Sequence, residues 1–124
     1  MKNDTESIRT KNEALGRLGD ARLTSVQFVM NYLVLGFDEK GALTTFVWPE
    51  IHCNGNNIVF NTPGYRDELC SLIEKVAKTF TIDINETIRI DFENGTELWI
   101  PLQSYKASGE RAILTGPQHY LFVF

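Results

Sequence analysis

The chain has 124 residues, 43% of them hydrophobic, 23% charged and 11% aromatic, a composition that fits one globular domain and excludes fibrous and low-complexity classes. Its net charge is −4, and without a basic face it is not expected to bind nucleic acid. No apolar run approaches the roughly 18 residues of a membrane-spanning helix, so no membrane partner is expected.

The opening stretch MKNDTESIRTKNEALG is polar and has no apolar core of the kind a secretion signal needs. A cytoplasmic address follows as an expectation, with Cys53 and Cys70 as free thiols. Asp4 to Leu18 is rich in helix formers. Ile8, Leu15 and Leu18 share a face, but Lys11 and Asn12 leave a gap in the stripe, and Gly16 and Gly19 weaken it. The pattern predicts a marginal helix, an accessory arm over residues 1–20 of a single domain spanning 1–124. It would dock on the body or on a second subunit.

From Leu23 the pattern changes to strands. LTSVQFVMNYLVLGF predicts one or two strands with a kink near Asn31, and ALTTFVW another after the turn Asp38-Glu39-Lys40-Gly41. A loop of residues 39–41 would set Phe37 opposite Leu43 and Leu35 opposite Thr45. Pro49 ends the ladder because it has no N–H to donate. Asn54-Gly55 marks a turn leading into a short strand, Ile58 to Phe60.

In NTPGYRDELCSLIEKVAKTF, Thr62 suits an N-cap, Pro63 the first helical position, and Asp67 with Glu68 the positive helix end. Tyr65, Leu69, Leu72, Ile73, Val76 and Phe80 recur at helical spacing. They predict one amphipathic helix over 63–79, with Cys70 on its apolar side.

TIRIDFENGTELWIPL reads as a hairpin. A two-residue Asn-Gly turn would leave Leu98 and Ile100 on the charged face. A three-residue loop, Glu93-Asn94-Gly95, pairs Phe92 with Thr96, Ile90 with Leu98 and Ile88 with Ile100, and it puts Gly95 at the left-handed position. The outer face then carries Arg89 opposite Trp99 and Asp91 opposite Glu97. Facing carboxylates require a neutralising neighbour, and Arg89 is diagonal to Glu97. The tail has a polar loop from Ser104 to Gly109, a short apolar piece from Ala112 to Leu114, and a final strand, HYLFVF, which must be paired or buried. The expected fold is α+β: a curled antiparallel sheet of about five to seven strands, packed on the helix at 63–79, plus a short N-terminal helix.

FVMNYLVLGFD, VWP, YRDELCSLI and IRIDFENGTELWIPL, spread between Leu23 and Leu102, together resemble a group of small bacterial α+β proteins of uncharacterised function. The resemblance brings no catalytic residues with it.

Candidate chemistry gathers in two places. In VWPEIHCNGN, Glu50 and His52 share a strand face, whereas Cys53 and His52 point to opposite faces, which separates nucleophile from base. Adding Cys53 or His119 gives only a loose ligand set without zinc-type spacing, so no metal is expected. GxGxxG and Walker-type loops are absent, and no cofactor is expected. Trp48, Glu50 and His52 remain as a candidate ligand contact. The second place is the hairpin face of Arg89, Asp91, Glu97 and Trp99. An exposed Trp beside an Arg has the composition of a protein interface, and a plain solvated sheet face is its bland alternative. The expected function is a non-enzymatic protein-interaction or self-associating domain, a homodimer or the binder of a protein partner. An immunity- or antitoxin-like role is its specific form. The competing class is a small-ligand binder or minor hydrolase that uses Glu50, His52 and Cys53.

Overall fold

β-Branched and aromatic residues dominate the chain from Ala21 onward, and in the computed structural model they form strands. The structure describes residues 4–104 and 111–124. Helix α1 (Asp4–Gly16) leads into β1 (Ala21–Val29), β2 (Tyr32–Phe37), β3 (Gly41–Thr45), β4 (Glu50–Cys53) and β5 (Asn56–Ile58). Helix α2 (Tyr65–Cys70) follows, then β6 (Val76–Ile82), β7 (Thr87–Phe92), β8 (Glu97–Pro101), a single 3-10 turn (Leu102–Ser104), β9 (Ala112–Gly116) and β10 (Tyr120–Val123).

The strands build one open antiparallel sheet in the order β10-β9-β3-β2-β1-β6-β7-β8-β4-β5. The α+β class holds, but the sheet has ten strands where about five to seven were expected. The short strand expected over 58–60 lies instead at Asn56–Ile58 as β5, where it pairs with an unexpected strand, β4, in a hairpin that sets Cys53 opposite Asn56 and His52 opposite Asn57. The other unexpected strands are β6 and β9, the latter read from the sequence only as a short apolar piece.

Strand β6 overturns the predicted helix over 63–79. Only Tyr65 to Cys70 is helical, with Gly64 at the N-cap in place of Thr62. Glu74 then takes a left-handed backbone (φ 86°), and its N–H donates to the Leu23 carbonyl at 2.7 Å, which feeds the chain into the sheet. The misreading has a geometric cause. The predicted stripe runs through Val76 and Phe80, and a spacing of four residues fits the two-residue period of a strand as well as a helical turn. The β-branched residues Val76, Thr79, Thr81 and Ile82 belong to a strand, in which a register shift between Ala77 and Thr79 leaves Val76 half-buried while Ala77 and Phe80 turn to the core. Cys70, expected in the core, is exposed at the end of the short helix.

Strand β1 serves both halves of the sheet. Its first residues pair with β6 (Ala21 with Ala77, Arg22 with Val76), and from Leu23, opposite Phe37, it pairs with β2, with a register shift between Leu23 and Ser25. The β1–β2 connection is the two-residue turn Met30-Asn31, close to the expected kink. In β2–β3, Phe37 faces Gly41 and Leu35 faces Leu43, two positions away from the expected pairing of Phe37 with Leu43. The reason lies outside the hairpin: β9 runs so close to Gly41 that a Cβ there would sit 2.1 Å from the Thr115 carbonyl oxygen, so only glycine fits at that point of the ladder. The β7–β8 hairpin has the predicted register, with Ile90 opposite Leu98, Ile88 opposite Ile100, and Gly95 at φ 91°. The polar loop expected over 104–109 lies, from residue 105, outside the described residues.

Helix α1 packs on β6 of the same chain. Ala14, Leu15 and Leu18 are buried. The apparent gap in its stripe proves to be the docking point: Asn12 donates to the Ile82 carbonyl (3.0 Å) and accepts from the Ile82 N–H (2.9 Å). Lys11 reaches Glu86 at 3.3 Å. Glu86 also pairs with Arg111, which ties α1, the β6–β7 turn and the start of β9 together. The Arg111 hydrogen bond, reinforced by Lys11, holds the Glu86 carboxyl below its ordinary range despite some burial. One core collects Leu33, Leu35, Phe37 and Leu43 from one half of the sheet and Ile51, Phe80, Ile88, Ile90, Leu98 and Ile100 from the other. An edge-to-face contact between Phe37 and Phe80 (5.1 Å) joins the halves.

Candidate functional site

The strand order unites residues that the sequence placed in two separate clusters. Strand β4 pairs with β8, setting Glu50 opposite Trp99, Ile51 opposite Leu98 and His52 opposite Glu97. Strand β7 flanks β8 on the other side, with Arg89 opposite Trp99 and Asp91 opposite Glu97. Because Ile51, Leu98 and Ile90 are buried, Glu50, His52, Glu97, Trp99, Arg89 and Asp91 all project from the opposite, outer face.

Trp99 is the centre of this face. The Arg89 guanidinium lies 4.4 Å from its ring centroid, and the His52 imidazole stacks on it at 4.2 Å with an interplanar angle of 26°. One planar group therefore reaches the indole from each neighbouring strand. The indole N–H donates to Glu97 Oε1 at 2.8 Å. Thr79 on β6 donates to Asp91 Oδ2 at 2.7 Å. These two donors serve the facing carboxylates. The sequence had assigned that task to Arg89, which sits on the indole instead.

His52 Nε2 lies 3.4 Å from Glu50 Oε1, at the long limit of a hydrogen bond. Their side chains are 26% and 34% exposed, so both remain open to a ligand. Cys53 takes the other side of the strand, with Sγ 3.9 Å from Glu68 Oε2. Desolvation, then the Glu68 charge and hydrogen bond, raise the thiol above its ordinary value, which disfavours the nucleophilic thiolate. Among the described residues, no group of three or more His, Cys, Asp or Glu side chains is placed to hold a metal ion, and His119 lies in the β9–β10 turn.

Trp48 stands apart from the Trp99 face. It stacks on Phe60 at 4.3 Å with the rings 6° from parallel, and more loosely on Phe28 at 6.3 Å. Phe60 in turn meets Tyr65 edge-on. The buried Tyr65 hydroxyl donates to the Pro49 carbonyl at 2.6 Å, pinning the start of β4 to α2, and burial raises its pKa. Glu50 lies on the wall of an open groove of about 350 Å³ that Trp48 and Phe60 also line. Sequence reasoning missed Phe60, Thr79 and Asn57 as neighbours of the site. Phe60 was legible only as part of an apolar strand, and the other two carry no signal until strand order is known.

Among the described residues, no helix is long and apolar enough to cross a membrane. Comparison with family models, with curated proteins and with solved structures finds no match.

Proposed function

We propose that the protein is a non-enzymatic interaction domain of the cytoplasm that docks a protein partner through the outer face of β7, β8 and β4. The observation that carries this reading is Trp99, braced by Arg89 and His52. An aromatic anchor already held in place loses little conformational freedom on binding, which is the property of interface hot spots. Glu50, Asp91 and Glu97 outnumber Arg89 on this face. The acidic excess favours a basic partner and disfavours pairing of the face with its own copy. An immunity- or antitoxin-like domain covering a basic target is the specific form, supported by size and charge. The hydrolase alternative is weakened by Cys53, which faces Glu68 rather than His52.

To test it, wild-type protein and a Trp99→Glu variant serve as baits, and the captured partner is purified and titrated against both. The expected loss is roughly thirtyfold or more in affinity, the factor for a hot spot of about 2 kcal/mol, with an unchanged circular dichroism spectrum. Equal affinities would remove Trp99 from the interface.

A separate observation favours self-association elsewhere. Strand β10 is a sheet edge, and its Leu121 and Val123 are 61% and 47% exposed. Edge-to-edge pairing of two copies would double the 14.1 kDa mass in light scattering, and Leu121→Lys would return it to the single value. A wild-type mass of one chain excludes this second mode.

A further inference from the structure

The groove beside Glu50 differs in chemistry from the Trp99 face. Phe46, Trp48, Val59, Phe60 and Pro101 give it apolar and aromatic walls, and among the described residues Glu50 is the one charged residue lining it. Trp48 and Phe60 lie parallel, so the groove is bounded by flat aromatic surface rather than by mobile aliphatic chains. Among the described residues, the hydrogen-bonding contact of the Glu50 side chain is the long one from His52 to Oε1, which leaves Oε2 for an incoming donor. The same aromatic cluster already holds a guanidinium that is not among the groove-lining residues: Arg66 lies 5.2 Å from the Phe28 centroid and 5.7 Å from that of Phe60. Aromatic walls, a single carboxylate and a volume of about 350 Å³ suit a cation on an apolar stem, which stacks on the rings and ends in a charge-assisted hydrogen bond.

We infer that this groove receives a basic side chain, an Arg or Lys, of the docked partner. Glu50 carries the argument because it belongs to both surfaces, facing Trp99 across the β4–β8 ladder while lining the groove. A chain lying on the Trp99 face therefore has a carboxylate-ended slot within reach for one long cationic residue. The source of the side chain rests on the protein-partner reading above, whereas the chemistry of the groove does not.

The protein has two tryptophans, Trp48 and Trp99, so their indole N–H resonances report the groove and the face separately. N-acetyl-arginine methylamide is titrated into ¹⁵N-labelled protein, with the neutral isostere N-acetyl-citrulline methylamide as control. The Trp48 resonance should move saturably with the arginine derivative and not with the citrulline one. Glu50→Gln should weaken that response at least about tenfold, the factor for losing one charge-assisted contact, and Glu50→Asp should restore part of it. An unmoved Trp48 resonance, an equal response to citrulline, or full affinity in Glu50→Gln would overturn the inference. The outcomes are separable from the test of the face. Partner binding lost in Trp99→Glu together with a silent groove leaves the face reading standing alone. An arginine-responsive groove together with partner binding that survives Trp99→Glu leaves the groove standing alone.

Discussion

The imidazole of His52 lies flat against the indole of Trp99, 4.2 Å away, although 47 positions separate them in the chain. This contact exists because β4 pairs with β8 rather than with its sequence neighbour β3. It turns two weak candidate clusters into one surface. A ring pair of this kind contributes about 0.5–1.5 kcal/mol beyond its buried area. A double-mutant cycle of His52→Ala and Trp99→Ala, read by urea unfolding, should return a coupling energy in that range. Coupling indistinguishable from zero would show that the two rings do not support each other in solution.

Asn12 is predicted to matter more than its polar character suggests. Its amide satisfies both backbone groups of Ile82, at a stretch of β6 that β1 no longer pairs. Asn12→Ala should cost about 1–3 kcal/mol, the range for leaving buried polar groups unpaired. Asn12→Asp keeps the acceptor and removes the donor, and should fall between the two. An alanine variant as stable as wild type would mean that water serves Ile82 equally well.

Stability should decline in acid in a way that Glu86 reports. Its folded pKa lies below the ordinary carboxylate value, chiefly through the Arg111 hydrogen bond and then through Lys11. A depressed folded pKa contributes stability that is fully present above the unfolded pKa, and that stability is lost as pH falls through the folded value. Wild type should therefore exceed Glu86→Gln in urea-unfolding free energy at pH 7, with the gap closing below about pH 4. A gap independent of pH would contradict this.

The β7–β8 turn can be tested without disturbing packing. Gly95 holds φ 91°, and a Cβ there would meet nothing within 4 Å. The cost of Gly95→Ala is then backbone strain alone, about 1–2 kcal/mol. Gly95→Asn should cost less, because asparagine tolerates the left-handed region better. Thermal melts that rank alanine at or above asparagine would show that the turn relaxes to another geometry.

Local rules reached some features of this protein and missed others. The β7–β8 register was legible because a one-residue slip would carry Leu98 and Ile100 to the outer face, and because Gly95 sits where the loop needs it. The Arg89–Trp99 and Asp91–Glu97 oppositions followed from that register. The helix over 63–79 failed because Val76 and Phe80, four residues apart, fit a strand as well as a helix, and periodicity alone does not distinguish the two. Lys11 and Asn12 were read as a flaw in α1, since a hydrophobic stripe takes no account of hydrogen bonds to a strand edge.

By itself the sequence determined the α+β class, the positions of several turns, the β7–β8 hairpin and the alternation that parts Cys53 from Glu50 and His52. All of these depend on interactions between residues close in the chain, through turn geometry and the two-residue period of a strand. Only the tertiary structure decided that Trp99 stands between Arg89 and His52, that Glu50 links the Trp99 face to the Trp48 groove, and that β10 ends the sheet. Strand order is the reason: it arises from burying one core between segments far apart in sequence, and no local pattern records which strands become neighbours.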